Sequence, residues 1–91
     1  MTTRYQRHSD IRLTGLEGEG VALHLGTRRY YGVTATGYDL LQWMETPRTL
    51  DELVALLTAK YDVSQEDARR TTRDFLDQGM LDGVLISREQ G

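Results

Sequence analysis

The chain has 91 residues, 38% of them apolar, no cysteine, and a formal net charge of −3. That length suits one domain with one modest core and leaves little room for a deep substrate cavity beside it. The missing cysteines exclude disulfides, thiolate metal sites and cysteine nucleophiles.

In chain order, residues 1–9 are polar and Arg-rich and read as a mobile N-terminal tail, 10–86 as the domain, and 87–91 as a C-terminal tail. Gly15, Gly18, Gly20, Gly26 and Gly32 punctuate three short alternating runs: Ile11 to Leu16, Val21 to Leu25, and Arg29 to Val33. They predict an antiparallel meander. In the second run Val21, Leu23 and Leu25 share one face, and Ala22 and His24 share the other, so His24 is expected on a solvated face. From Thr34 the apolar period changes to that of a helix. The first helix is expected over 35–45, capped by Thr34 and closed by Pro47. Thr49-Leu-Asp-Glu52 is a capping box, followed by a stripe of Leu50, Leu53, Val54, Leu56, Leu57 and Tyr61. Ser64 caps the third helix, with Val63 and Ala68 at the two positions of a hydrophobic staple. Its stripe is Ala68, Thr72, Phe75 and Leu76, ended by Gly79 or Gly83. Val84-Leu-Ile86 is a short apolar tail that packs on the sheet or the first helix. The fold class is α+β: a winged-helix-like, three-stranded antiparallel sheet followed by three helices.

The chemistry-bearing residues are sparse. Ser9, Ser64 and Ser87 occupy a tail, a cap and a terminus, and no oriented base stands near them in the pattern, so the chain reads as non-catalytic. His8 and His24 lack partners at ligand spacing, which predicts no metal, and no motif calls for a cofactor. No apolar run approaches the ~18 residues of a membrane span, and Met1-Thr-Thr-Arg4 opens no signal peptide, so the expected location is cytoplasmic. A winged-helix DNA-binding protein is the alternative from another class, with Arg69, Arg70 and Arg73 on the third helix. Against it, residues 34–91 carry eleven acids to six Lys/Arg, whereas residues 1–33 carry five Arg to three acids. The third strand is more informative. Arg29-Tyr-Tyr-Gly-Val33 is an edge without proline or inward charge. Gly32 marks either a bulge or a place where another backbone comes close.

Gly20-Val-Ala-Leu-His-Leu25, Arg29-Tyr-Tyr-Gly-Val-Thr-Ala-Thr-Gly37, the Arg48–Leu57 capping-box run, Tyr61-Asp-Val-Ser64, Phe75-Leu76 and Met80-Leu81 together resemble the PqqD-like family. Its members are the recognition elements that bind leader segments of ribosomally made, post-translationally modified peptides (RiPPs). The resemblance spans residues 10–86, and its most specific stretch is Tyr30 to Gly37. It departs where many members have Asn, here Thr34, and in its tryptophan, which falls at Trp43 while the usual position holds Leu41.

The resemblance implies a non-catalytic module on which a precursor's leader adds as an edge strand to the third strand, in the groove beside the third helix. The implied partners are that leader and a separate modifying enzyme: a leader peptidase in a lasso-peptide system, or in the alternative a radical-SAM enzyme served by a quinone-cofactor (PQQ) peptide chaperone. A homodimer through the sheet edge is a further implied partner; nucleic acid and membrane are not. The expected peptide-binding residues are Arg28, Arg29, Tyr30, Tyr31, Gly32 and Val33 on the strand side, and Arg69, Thr72, Arg73, Leu76 and Gln78 on the helix side. Arg28, Arg29, Arg69 and Arg73 are expected to form a positive rim, with Leu76 at the groove and Phe75 deeper, beside Leu53 and Leu57.

Overall fold

The computed structural model describes residues 2–17 and 19–90. Gly18, between the first two expected strands, with Met1 and Gly91 of the expected tails, lies outside the described residues. The elements are β1 (Thr2–Arg7), β2 (Ile11–Leu16), β3 (Glu19–His24), β4 (Arg29–Thr34), α1 (Ala35–Trp43), α2 (Leu50–Lys60), α3 (Gln65–Leu81) and β5 (Leu85–Gln90). The three-stranded antiparallel sheet and the three helices follow the expected α+β order, and two further strands are added to them.

The helix boundaries are set by local chemistry. Thr34 accepts the Gly37 N–H at 3.1 Å and caps α1. Thr49 and Glu52 complete the reciprocal capping box of α2, and Ser64 accepts the Asp67 N–H at the start of α3. Of the two glycines expected to end that helix, Gly83 does so, with a φ of 73°. The Val84 N–H reaches the Gly79 carbonyl at 2.9 Å and the Gly83 N–H reaches Met80 at 3.3 Å, the paired bonds of a Schellman motif. Gly79 has another task. A Cβ there would stand 2.5 Å from Cδ1 of Leu85, so the glycine is what lets β5 lie against α3.

The chain ends are a correction to the sequence reading. Thr2–Arg7 pairs antiparallel with Leu85–Gln90 in an unbroken register from Thr2↔Gln90 to Arg7↔Leu85. Tyr5 and Arg48 exchange backbone hydrogen bonds of 2.7 and 2.9 Å, and the Arg7 N–H donates to Met44 at 2.8 Å. The Val84-Leu-Ile86 tail is likewise the entry to a strand. Nothing in Thr-Thr-Arg-Tyr-Gln-Arg marks it as structured, because its partners lie some eighty residues further on or at the α1–α2 corner.

The face of β3 is a second correction. Ala22 and His24 point inward and are buried, while Val21 and Leu23 are half-buried and Leu25 is exposed. Side-chain size explains the reversal. A Cβ on Gly20 would meet the Tyr38 ring at 2.5 Å, and one on Gly15 the Tyr38 hydroxyl at 2.8 Å. The face with small residues is the one on which α1 can settle. The core then gathers Ile11, Ala22, Leu40, Leu41, Met44, Leu53, Val54, Leu57, Ala68, Leu76, Val84 and Leu85. His24 takes a structural post beneath the hairpin turn. Its Nδ1 accepts the N–H groups of Gly26 and Thr27, and its ring lies 4.9 Å from that of His8.

Candidate functional site

The meander is ordered β2-β3-β4, which among the described residues leaves one side of β4 without a strand partner. The β3–β4 register runs without interruption from Glu19↔Thr34 to His24↔Arg29, so Gly32 is no bulge. A Cβ on Gly32 would meet nothing within 4 Å, and its φ is not positive. No packing or backbone requirement inside the chain calls for glycine at this position.

Alternation turns Tyr31 and Val33 inward and leaves Tyr30 and Gly32 outward. Beside the free edge lies a cavity of about 140 Å³. Gly32 and Val33 form its strand side, Phe75, Gln78 and Asp82 its helix side, and Ala22, Leu41 and Val84 contribute to the apolar lining. The Tyr31 hydroxyl donates to the Asp82 carbonyl at 3.2 Å and ties the strand to the end of α3. Gln78 donates to the Asp82 carboxylate at 3.1 Å, which fixes the polar rim. A Cβ on Gly37 would stand 3.0 Å from Cε1 of Phe75, so that glycine lets the ring rest against the start of α1.

The structure brings Tyr31, Gly32, Val33 and Gln78 together at this groove. Arg28 and Arg29 are exposed at the hairpin end of β4. Arg28 closes the turn with a φ of 62° and donates its N–H to His24 at 2.7 Å. Tyr30 is 72% exposed on the outer sheet face, beside Leu23, Leu25 and Arg28. The other helix residues do not reach the groove. Leu76 is 3% exposed and Thr72 is fully buried; both belong to the core. Phe75, expected in the core, is half-buried at the groove, so the two neighbours exchange roles. Arg69 pairs with Asp51 of α2 at 2.8 Å. Arg73 is exposed and, two positions before Phe75, lies about 200° round the helix from it. The positive rim therefore has only its strand side, and the helix side presents Gln78 and Asp82. Arg70, on which the DNA alternative leaned, is paired with Asp67.

Sequence reasoning missed Phe75, Gly79 and Asp82 as groove residues, and it missed Asp39. The one available signal was Gly79, a helix-interior glycine that marks a close approach. Asp39 is buried and accepts the Tyr61 hydroxyl, while Lys60 Nζ stands 2.9 Å away. The hydrogen bond to Asp39 raises the pKa of both Tyr61 and Lys60. Both stay protonated at neutral pH, and the trio ties α1 to the end of α2. Among the described residues no three His, Cys, Asp or Glu gather to hold a metal ion, and no helix is long and apolar enough to cross a membrane.

Fold and groove define a small α+β domain whose candidate functional surface is an open strand edge beside a helix. The family model for Coenzyme PQQ synthesis protein D (PqqD) matches residues 19–85, and the chain belongs to that family. Two solved structures share the fold. One is TbiB1 in complex with the TbiA(beta) leader peptide, at 28% identity over 88% of this chain and 93% of that one, with a TM-score of 0.77. The other is a lasso peptide synthetase B1 complexed with its leader peptide, at 17% identity over 90% and 96%, with a TM-score of 0.75. No curated protein matches the chain significantly.

Proposed function

We propose that the chain is a non-catalytic module that binds the leader segment of a ribosomally made precursor peptide and presents it to a separate modifying enzyme in the cytoplasm. The leader joins the free side of β4 as a further strand and sets side chains in the cavity between β4 and α3. The observation that carries this reading is the unguarded β4 edge next to an apolar cavity, with open space where a Gly32 side chain would stand. The leader peptides bound by TbiB1 and by the lasso peptide synthetase B1 support it. A lasso-peptide system is the pathway we favour, on the likeness of the Thr36-Gly37 pair and on the shared fold of that synthetase.

Magnitudes say which contacts matter. Ordering one peptide residue costs ~1–2 kcal/mol of backbone entropy, and a net hydrogen bond returns only ~0.5–1.5 kcal/mol. Main-chain pairing alone therefore roughly cancels, and buried side chains at ~1.5–3 kcal/mol each decide affinity and sequence preference.

The test takes a displayed library of random 15-residue peptides, selected on the immobilised full chain, and titrates the selected peptide against Gly32→Pro and Val33→Pro. Alternate residues of an antiparallel strand turn their N–H groups to opposite neighbours. One of the two prolines therefore removes a donor from the free edge, and the other disturbs the β3 ladder. We expect one variant to stay folded and bind at least tenfold more weakly. Two folded variants that bind like the wild type sink the reading.

A further inference from the structure

Among the described residues the three-stranded sheet has a second open edge, at β2, with a cleft of its own beside it. The Leu25 N–H donates to the Asp10 carbonyl at 2.9 Å, which fixes the phase of the β2–β3 ladder. Arg12 and Thr14 then turn their backbone groups toward β3, and Leu13 and Gly15 turn theirs to the open side. The edge closes at Ile11, whose N–H is held by the His8 carbonyl at 3.0 Å and whose carbonyl is held by the Arg12 guanidinium at 3.2 Å. An open cleft of about 690 Å³ runs between this edge and α1, lined by Leu13, Tyr38, Gln42 and Trp43. At the closed end it meets a polar hollow of about 400 Å³, shared through Arg7 and Arg12 and bounded by Arg88 of β5. Among the described residues none of these arginines has a carboxylate partner: Arg7 reaches the Leu41 carbonyl, and Arg12 those of Ser9 and Ile11. Glu45 is the one carboxylate in the lining of either space.

We propose that this cleft docks an extended, acid-ended segment of a partner protein, which pairs with Leu13 and Gly15 and sets its carboxylates among Arg7, Arg12 and Arg88. The partner's role rests on the leader-binding reading above: with the leader on β4, the enzyme that receives it must grip another surface. Backbone groups turned outward on alternate residues are matched by an extended chain and by no small anion. The arginines stand where the edge closes, so charge takes over where strand pairing ends. A net charge of −3 speaks against nucleic acid as the occupant. Antiparallel pairing is the more stable kind. Such a segment passes Gly15 first and the arginines last, so its apolar residues precede its carboxylates. Two paired residues return little against the entropy of ordering them. Contacts with Leu13 and Trp43 and the charge match therefore decide affinity. With β2, β3 and β4 between them, the leader and this segment stand about 19 Å apart, and neither covers the other's site.

The experiment selects the same peptide library on the immobilised full chain and, in parallel, on the double variant Arg12→Glu/Arg88→Glu, whose two positions are exposed. Peptides with alternating apolar residues followed by carboxylates are expected on the wild type alone. A synthetic one should bind the double variant roughly tenfold more weakly or worse and lose affinity as salt is raised. It should bind Gly32→Pro and Val33→Pro as it binds the wild type, and bind together with the groove peptide. Leu13→Pro removes an outward N–H and leaves the β3 ladder intact, so it too should weaken the acidic peptide. If that variant fails to fold, N-methylation of the peptide's own amides makes the same cut from the other side. The cleft inference is overturned if no acidic peptides are selected, if they bind the double variant normally, or if they compete with the groove peptide. Groove peptides that still depend on Phe75 then leave the leader-binding reading standing. A chain that sediments as a dimer, and as a monomer once both arginines are replaced, assigns the edge to a second copy and equally overturns the inference. Groove peptides indifferent to Phe75→Ala and to both prolines sink the leader-binding reading, and with it the partner's role as the leader's enzyme, while the acidic peptides still report on the cleft.

Discussion

Two faces of α3 run side by side along the helix. Thr72 and Leu76 are packed out of water, and Arg69, next to that stripe, reaches across to Asp51 of α2. Thr71, Phe75, Gln78 and Asp82 line the cavities beside β4 and α1 and stay partly or fully accessible. The first face fills its space with contacts inside the chain. The second leaves about 140 Å³ and 110 Å³ unfilled. A well-packed domain does not keep such gaps for stability, since each forfeits dispersion contacts along its lining. The difference separates residues that hold the fold from residues left available to the proposed ligand.

Leu76→Ala is the strongest test of that division. Removing a fully buried leucine costs ~2–5 kcal/mol, a large part of the ~5–15 kcal/mol that a domain has. Urea unfolding should show a heavily destabilised protein whose folded fraction still binds peptide normally. Phe75→Ala should behave the other way round. Half-buried, it loses about 2 kcal/mol of stability, roughly half the ~3–5 of a fully buried ring, while peptide affinity drops at least tenfold. Thermal melts and titrations on the pair break the comparison if Phe75→Ala binds as the wild type does.

Thr72→Val sharpens the inner face. The Thr72 hydroxyl is buried without a hydrogen-bond partner, and an unsatisfied buried polar group costs ~1–3 kcal/mol. The valine variant should be about 1 kcal/mol more stable in urea with unchanged peptide affinity. A destabilised valine variant would mean that the hydroxyl is bonded after all.

The smallest effect belongs to a control outside α3. The Thr49 backbone N–H, the strongest influence, and the Arg4 guanidinium hold the Glu52 carboxyl below its ordinary 4.5. A lowered folded value means that the stabilisation is complete above the ordinary value and is lost as the pH falls through the lower one. Glu52→Gln should lessen the acid loss of stability on that side, seen in melts run down in pH, and leave binding at neutral pH untouched.

The caps at Thr34, Thr49 and Ser64 and the left-handed Gly83 were legible from the chain alone, because each is a bond or a backbone conformation settled within a few residues. The edge position of β4 was legible too, since three strands joined by short turns leave their last strand at an edge. The identity of the groove wall was not. Phe75 and Leu76 are adjacent apolar residues on one stripe, and helical periodicity permits either to face the core. The choice fell to Gly37, which leaves room for the ring beside α1. The inward face of β3 was decided in the same way, by Tyr38 settling over Gly15 and Gly20 against the larger residues that hydrophobicity favours. The two terminal strands depended on nothing local at all. A six-residue polar run becomes β1 only because β5 and the Met44–Arg48 segment supply hydrogen-bond partners that sequence neighbours cannot. Short-range chemistry was therefore readable in the amino-acid order, whereas size matching and pairing between distant segments came into being only with the packed structure, because both depend on which surfaces meet.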